Sequence, residues 1–232
     1  MPEFTCANAI VLGAKPLGEN GYILSLFTPQ HGKHLGVIKK KKAPEIGTLC
    51  QATWKARLPE QLGSFYLEET KSYAALLLDD MPRLNVLANL CATLDKALPE
   101  RQAYNELHTH TLNFLDLLEK DSFYEDYVLF EVQLLAALGF ALNMTECAGG
   151  GDKNDLAYLS PKTGRAVSRE KGNPYRNKLL KLPRFLWQTA PASTEDLVDG
   201  LQLTGHFLHE HLGQLPTSRA RLFSDIQRRN NG

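Results

Sequence analysis

The part of the chain that most constrains its fold is Ser122 to Leu142, SFYEDYVLFEVQLLAALGFAL. As a helix this stretch would be apolar almost all round, and a helix of that kind is normally buried in a domain core. Ser122 is expected to cap its start and Gly139 to mark its exit. Glu131 and Gln133 interrupt the apolar run, which is also too short to span a bilayer. We therefore predict a buried central helix over residues 122–142, with amphipathic segments packed around it.

The first part of the chain, to about residue 80, has the pattern of a small β-structure. Strands are predicted at residues 4–12, 22–28, 35–40, 49–56 and 65–73, and glycine and proline occur in every connection between them. Five short strands in about 75 residues fit an oligonucleotide-binding (OB) barrel. An SH3-like barrel would fit nearly as well.

After the strands, the pattern becomes helical. Asp79-Asp80-Met81-Pro82 is a helix start signal, because proline is favoured in the first turn after an acidic cap. Helices are predicted at 82–98, 101–120, 122–142, 176–189, 194–213 and 217–228. We predict an α+β protein: a five-stranded OB barrel at residues 1–80, then an α-helical domain at 81–232. A loop with a small hairpin at 156–168 is expected to be inserted at about 147–174.

The charges balance in total but are unevenly placed. Lysine plus arginine and aspartate plus glutamate each number 26, yet the ten residues from Lys33 to Lys42 hold five lysines and no acid. A lysine cluster at the edge of such a barrel suits a nucleic-acid backbone, although a solvated turn is the alternative. On the fourth strand, alternation places Trp54 on the apolar face and Lys55 and Arg57 outward. The predicted DNA-binding residues are Lys33, Lys39, Lys40, Lys41, Lys42, Lys55 and Arg57.

A second basic region lies between Pro161 and Trp187. Its eight basic residues stand against Glu170 alone, with Tyr175, Phe185 and Trp187 interleaved. Cations beside aromatic rings suit phosphate or carboxylate partners. The alternative is an exposed hairpin and helix in which Phe185 and Trp187 are buried.

Signatures of enzymes and metal sites are absent from the sequence. It has no GxxxxGK[ST] loop, no GxGxxG and no GxSxG elbow, so no catalytic residues and no cofactor are predicted. The four cysteines form no CxxC pair, which favours free thiols in a reducing cytosol. His206 and Glu210 share one helix face, but two ligands do not make a metal site.

Three segments, taken in order, resemble the bacterial recombination mediator family RecO. The first is Ala9 to Ala43, in which a strand, an acidic turn, a second strand ending in Phe-Thr and a His-Gly-Lys turn lead to a basic run. The second is FEVQLLAALGF, Phe130 to Phe140, which resembles the family's FExxLLxxLG pattern. The third is Phe207 to Leu222, with its Pro-Thr-Ser-Arg turn. Together they span nearly the whole chain.

The resemblance implies a non-enzymatic protein of DNA repair and recombination in the cytoplasm, associated with the nucleoid during repair. It implies binding to single- and double-stranded DNA, annealing of complementary strands, and work with RecR to load recombinase. It also implies recognition of the acidic C-terminal tail of the single-stranded-DNA-binding protein. We place that tail at Lys178, Lys181, Arg184 and Trp187.

Two further expectations depend on this resemblance. Some members carry a four-cysteine zinc module after the central helix, and here only Cys147 remains in that region. The hairpin is therefore interpreted as a degenerate remnant of the module, without metal. The alternative function is a protein–protein adaptor whose barrel and helical domain bind peptides without contacting DNA.

Overall fold

A computed structural model describes residues 2–118 and 123–229 of the chain. The chain divides into two compact units, Met1–Glu119 and Lys120–Gly232. The predicted cap at Ser122 lies outside the described residues.

The first unit begins with five strands. They are β1 (Glu3–Pro16), β2 (Tyr22–Thr28), β3 (Gly32–Ile38), β4 (Thr48–Lys55) and β5 (Ser64–Ser72). They close into a barrel in the order β1-β2-β3-β5-β4, with every pairing antiparallel except that of β3 with β5. This Greek-key barrel of five strands confirms the OB-like prediction.

The first strand is longer than predicted because it serves two partners. Its first half pairs with β4 and its second half with β2. The register shifts between Cys6 and Ala9 and again between Val11 and Gly13, and Asn8 adopts a positive φ of 56°. Such bulges bend a strand and increase its twist, which lets one strand close a small barrel.

Three helices complete the first unit: α1 (Tyr73–Leu76), α2 (Met81–Ala97) and α3 (Asn105–Leu117). The side chain of Asp80 caps α2 by accepting from the amide of Arg83 at 3.0 Å, and Pro82 lies in the first turn, as the sequence indicated. Of these helices, α2 and α3 pack against the outer surface of β1 and β2. Ser25 donates to Asp95 of α2, and a ring nitrogen of His108 in α3 lies 2.9 Å from the carbonyl of Asn8. On β4 and β5 the outward side chains of Gln51, Lys55, Tyr66 and Glu68 are exposed to solvent.

The second unit is built on α4 (Phe123–Ala137), which is the predicted central helix. It is followed by a three-stranded sheet, β7-β6-β8, from β6 (Leu156–Leu159), β7 (Ala166–Ser168) and β8 (Leu180–Lys181). Its other helices are α5 (Arg169–Gly172), α6 (Thr194–Leu212) and α7 (Arg219–Arg229). A capping box between Ser193 and Asp196 starts α6. No helix within the described ranges is long and apolar enough to cross a membrane.

A buried ion pair joins three helices of the second unit. Glu131 of α4 is fully buried, and its carboxylate binds the guanidinium of Arg219 at the start of α7 through two hydrogen bonds, one of 2.9 Å. Arg219 also donates to the carbonyl of Leu201 in α6 at 2.6 Å, and the hydroxyl of Thr204 donates to Glu131. Burial lowers the pKa of Arg219, but the charge and hydrogen bonds of Glu131 outweigh it and the pKa is raised. Glu131, the charged residue that interrupts the apolar run, thus forms a contact between helices.

The predicted helix at residues 176–189 is wrong. The structure has 3₁₀ turns at Asn173–Lys178 and Arg184–Leu186, separated by β8. Pro183 falls inside the predicted range and disfavours a continuous helix, because proline lacks an amide donor and restricts the preceding residue. Between the two 3₁₀ turns, Leu180 and Lys181 complete the sheet by pairing with β6. The hairpin predicted at 156–168 is confirmed as β6 and β7.

The boundary between domains stays a prediction. The strands end at Ser72, close to the predicted boundary at residue 80. The first compact unit nevertheless extends to Glu119, because α2 and α3 pack on the barrel.

Candidate nucleic-acid interface

The segment Lys39–Lys42 leaves the barrel where β3 ends at Ile38. Ile38 is paired with Tyr22, the first residue of β2, and the hydroxyl of Tyr22 donates to the carbonyl of Lys41 at 3.4 Å. The strand ends two residues before its predicted end at Lys40. The lysines therefore lie in the connection between β3 and β4. Because the segment is not part of a ladder, alternation does not force its side chains to opposite faces.

Two of these four lysines have carboxylate partners. The ammonium of Lys40 lies 2.6 Å from Glu69, and that of Lys42 lies 3.3 Å from Glu45. The other two lysines of the segment are exposed and form no ion pair within residues 2–118 and 123–229. Exposed pairs contribute only about 0–1 kcal/mol, so a phosphate can compete with either carboxylate.

Lys33 lies apart from this segment. It is at the start of β3, six residues from Lys39, which corresponds to about 20 Å along an extended strand. Its ammonium donates to the backbone carbonyl of Asp95 at 2.6 Å. The structure therefore separates Lys33 from the lysines with which the sequence grouped it.

Lys55 and Arg57 lie at the end of β4 and just beyond it, and both are exposed. The ammonium of Lys55 is 2.9 Å from Glu3, whereas Arg57 has no ion pair in the part of the chain that the structure describes. Trp54, which directly precedes Lys55, is only 3% exposed and donates to the carbonyl of Leu62 at 3.0 Å. Its predicted place in the barrel core is confirmed.

A groove of about 360 Å³ opens between β3 and β5 beside the lysine segment. It is lined by Val37, Ile38, Lys39, Lys40, Ser64, Phe65, Tyr66 and Leu67. Tyr66 is 77% exposed, although it lies on a strand between two buried residues. The sequence marks it only as one of several aromatic residues on predicted strands, and its exposure follows from the register of β5.

The barrel also encloses a cluster of aromatic and histidine side chains that the sequence did not indicate. The ring of His34 is 6% exposed, lies 4.6 Å from that of Trp54 and 5.0 Å from that of Phe4, and neither of its nitrogens has a hydrogen-bond partner. Burial, followed by the charge of Arg101, lowers the pKa of His34 to about 4. His34 is therefore neutral at physiological pH.

Four of the eight cations of the second basic region pair with acids of their own unit. Arg165 pairs with Glu146, Arg169 with Asp155 and Lys171 with Glu170, at 2.9, 3.3 and 3.3 Å. Lys181 lies 2.6 Å from Glu195 and 3.2 Å from Asp199. The cations of this region that have no ion pair among the described residues are Lys162, Arg176, Lys178 and Arg184.

The residues assigned to the partner tail do not share one groove. Trp187 lies in a groove of about 470 Å³ that also includes Glu125, Leu129 and Phe185. Lys181 and Arg184 line a different groove of about 390 Å³, together with three acidic residues of α6. The alternative interpretation expected Phe185 and Trp187 to be buried; Phe185 is buried, whereas Trp187 is half-buried.

Cys147 lies in the loop between α4 and β6, in the region that we interpreted from the sequence as the remnant of a zinc module. Its sulfur accepts from the amide of Ser168 at 3.2 Å. Burial opposes ionisation of the thiol, but hydrogen bonds from Ser168 and from the amides of Gly149 and Gly151 lower its pKa to about 7. Residues 2–118 and 123–229 contain no group of three or more histidine, cysteine or acidic side chains that could hold a metal ion.

Comparison with known proteins identifies the family. The model for "Recombination protein O N terminal" matches residues 1–71, and that for "Recombination protein O C terminal" matches residues 78–220. The chain belongs to the RecO family of DNA repair proteins. It is 43% identical to the DNA repair protein RecO of Rhodospirillum centenum, over 92% of this chain and 91% of that one. It is 40% identical to RecO of Jannaschia sp., over 96% of both chains, and 36% identical to RecO of Rickettsia canadensis, over 88% and 87%.

Two of the segments that carry the RecO likeness meet in the structure. Glu131 belongs to the FExxLLxxLG pattern and Arg219 to the Pro-Thr-Ser-Arg turn, and they form the buried ion pair. The remaining segment, Ala9 to Ala43, carries the lysines beside the open groove of the barrel. The RecO signature thus includes a structural contact in one unit and exposed cations in the other.

Proposed function

We propose that this chain binds single- and double-stranded DNA through its barrel, anneals complementary strands and, with RecR, helps load recombinase on DNA coated by single-stranded-DNA-binding protein. It does so in the cytoplasm, on nucleoid DNA, without catalysing a reaction. The observation that carries the proposal is the exposed lysine segment at the end of β3, beside an open groove of an OB barrel. Membership of a family of DNA repair proteins supports it.

Electrostatics gives the segment its expected role. Lysines that neutralise phosphates release counterions, and each contact to single-stranded DNA contributes about −0.7 to the slope of log affinity against log salt. If two or three of the four lysines bind phosphates at once, they account for roughly 1.5 to 2 of that slope. The same neutralisation would let two strands approach each other during annealing.

The test replaces all four lysines of Lys39–Lys42 by alanine and measures DNA affinity at several salt concentrations. We expect the slope to flatten by roughly 1.5 to 2 and binding to weaken for all sequences alike. Annealing should fall with it. Circular dichroism should show an intact fold, because exposed lysines contribute little to stability.

Two double variants divide the segment further. Lys39→Ala with Lys41→Ala removes the cations without ion pairs, and Lys40→Ala with Lys42→Ala removes those that pair with Glu69 and Glu45. We expect the first pair of changes to cost more affinity, since its cations need not leave a carboxylate. Unchanged affinity and salt slope in the quadruple variant would place DNA elsewhere. Binding of protein partners with no salt-dependent binding of DNA would favour the adaptor.

We further propose that the tail of the single-stranded-DNA-binding protein binds the second unit near Lys178, Arg184 and Trp187. An acidic tail with a free carboxylate needs cations beside an apolar surface. Lys178 and Arg184 are exposed and have no ion pair within the described ranges, whereas Lys181 must leave two carboxylates. Fluorescence anisotropy with the tail peptide should show weaker binding by Lys178→Glu with Arg184→Glu. Equal affinity in that folded variant would place the tail on another surface.

A further inference from the structure

An aromatic ring on the barrel is exposed without any partner to explain it. Tyr66 is 77% exposed, while its neighbours Phe65 and Leu67 are buried in the barrel core. Its backbone is held in register opposite Thr53 of β4. No hydrogen bond, ion pair or ring contact involves the Tyr66 side chain within residues 2–118 and 123–229. The strand thus fixes the base of the side chain and leaves the ring free to bind a ligand.

The groove beside Tyr66 exists because β3 and β5 pair over a very short length. Their register holds one pair, Val37 with Ser64, and the amide of Val37 donates to the carbonyl of Gly63 at 3.0 Å. The ring of Phe65 packs directly on Gly36, where a Cβ atom would lie only 2.5 Å from it. These contacts close the barrel beneath the groove. Above them, the two strands leave an apolar surface between Val37 and Tyr66.

Positive charge borders the groove on the side of β3. Lys39 lies two residues beyond Val37 and lines the groove together with Tyr66. It is exposed and forms no ion pair in the described chain, and Lys40 beside it holds only an exposed pair with Glu69. On the side of β5, Glu68 is exposed and shares the outer face with Tyr66 by alternation. A polyanion on this face should therefore run along the lysine side.

We propose that Tyr66 is a base-stacking platform: one unpaired nucleobase of single-stranded DNA lies on its ring, and the adjoining phosphates bind at Lys39 and Lys41. The proposal rests on the DNA-binding function proposed above and adds the site that distinguishes a single strand from a duplex. In a duplex the faces of the bases are covered by their neighbours, so the ring can stack only on an unpaired base. Stacking of this kind is tolerant of sequence, since every base has a π-face.

The test measures binding of the full chain to three DNA ligands of equal length: a single strand, the same strand with abasic positions, and a duplex. Tyr66→Ala should weaken binding to the single strand by about 5- to 150-fold, which is the usual range for loss of one base–aromatic stack. Binding to the abasic strand and to the duplex should stay within about twofold of the original protein, because those ligands rely on phosphate contacts. The preserved duplex binding also shows that the variant barrel is folded.

Two further variants separate stacking from other roles of the side chain. Tyr66→Phe keeps the ring and should retain the original affinity; a loss equal to that of Tyr66→Ala would mean that the hydroxyl binds, and would overturn the stacking role. Tyr175, which is 62% exposed in the second unit, offers a matched control. Tyr175→Ala should leave single-strand affinity unchanged, and an equal loss in both alanine variants would remove the assignment to Tyr66.

The lysine variants distinguish failure of this inference from failure of the proposed function. If Lys39→Ala with Lys41→Ala weakens binding to all three ligands while Tyr66→Ala changes none, the barrel binds DNA but Tyr66 is not its platform. If the original protein shows no salt-dependent DNA binding, both proposals are wrong. Selective loss of single-strand binding in Tyr66→Ala alone supports the platform.

Discussion

The ion pair between Glu131 and Arg219 offers the sharpest test of how the second unit is held together. Changing Arg219 to methionine would leave a fully buried carboxylate without its guanidinium. The hydroxyl of Thr204 would remain as a donor to that carboxylate. Leaving one buried charge unpaired typically costs about 3–5 kcal/mol of unfolding free energy. Because a domain is stable by about 5–15 kcal/mol in total, we expect Arg219→Met to lower stability severely.

The matched variants decide whether the loss comes from the unpaired charge. Glu131→Leu alone should cost a similar amount, since it leaves a buried guanidinium. The double variant Glu131→Leu with Arg219→Met removes both charges, and replacing a buried pair by apolar residues is often neutral or stabilising. We therefore expect the double variant to lie within about 2 kcal/mol of the original protein, far from the sum of the single losses. Thr204→Val, which removes the hydroxyl that donates to Glu131 and accepts from Arg219, should cost about 1.5–3 kcal/mol.

The two tryptophans make this measurement specific to the second unit. Trp54 lies in the first unit and Trp187 in the second, so urea unfolding can be followed by Trp187 fluorescence in a Trp54→Phe background. A double variant that loses as much as the two single variants together would refute the reasoning. So would a single variant that loses less than about 1 kcal/mol, because the carboxylate would then have found another partner or water.

The remaining predictions concern titration and metal content. The pKa of His34 is about 4 in the folded barrel and 6.5 ordinarily, so the unfolded chain takes up the proton first as the pH falls. Stability should therefore decline by about 3 kcal/mol between pH 6.5 and 4, and His34→Phe should flatten that part of the profile measured by urea unfolding. The pKa of Cys147 is lowered to about 7, whereas burial raises those of Cys6, Cys50 and Cys91 to about 11 or 12. Iodoacetamide at about pH 7.5 should therefore label Cys147 well before the other three cysteines, as peptide mass spectrometry would show. Equal labelling of all four would contradict this. Elemental analysis of the purified protein should find no stoichiometric zinc, and a chelator should leave the melting temperature unchanged, since structural zinc needs four close ligands. A one-to-one zinc content that is lost in Cys147→Ser would show the opposite.

The sequence by itself determined the elements that depend on local patterns. Short runs separated by glycine and proline turns indicated the five strands, and the apolar stretch indicated the central helix that became α4. The predicted helix at 176–189 is wrong because local sequence and long-range strand pairing favour different structures there. Its charged and apolar residues suit a helix turn by turn, but Leu180 and Lys181 form strand hydrogen bonds with β6, more than twenty residues earlier in the chain.

Only the tertiary structure decided which polar groups find partners. Glu131 looked like an interruption of an apolar run, and its guanidinium partner lies 88 residues away. Lys39 and Lys40 are indistinguishable in the lysine run, yet Glu69 of β5 pairs with the second and leaves the first available. Periodicity specifies which face of a strand or helix is apolar, because that depends on neighbouring residues. It carries no information about which charge from a distant part of the chain will meet that face, and such meetings determine which side chains remain free to bind DNA.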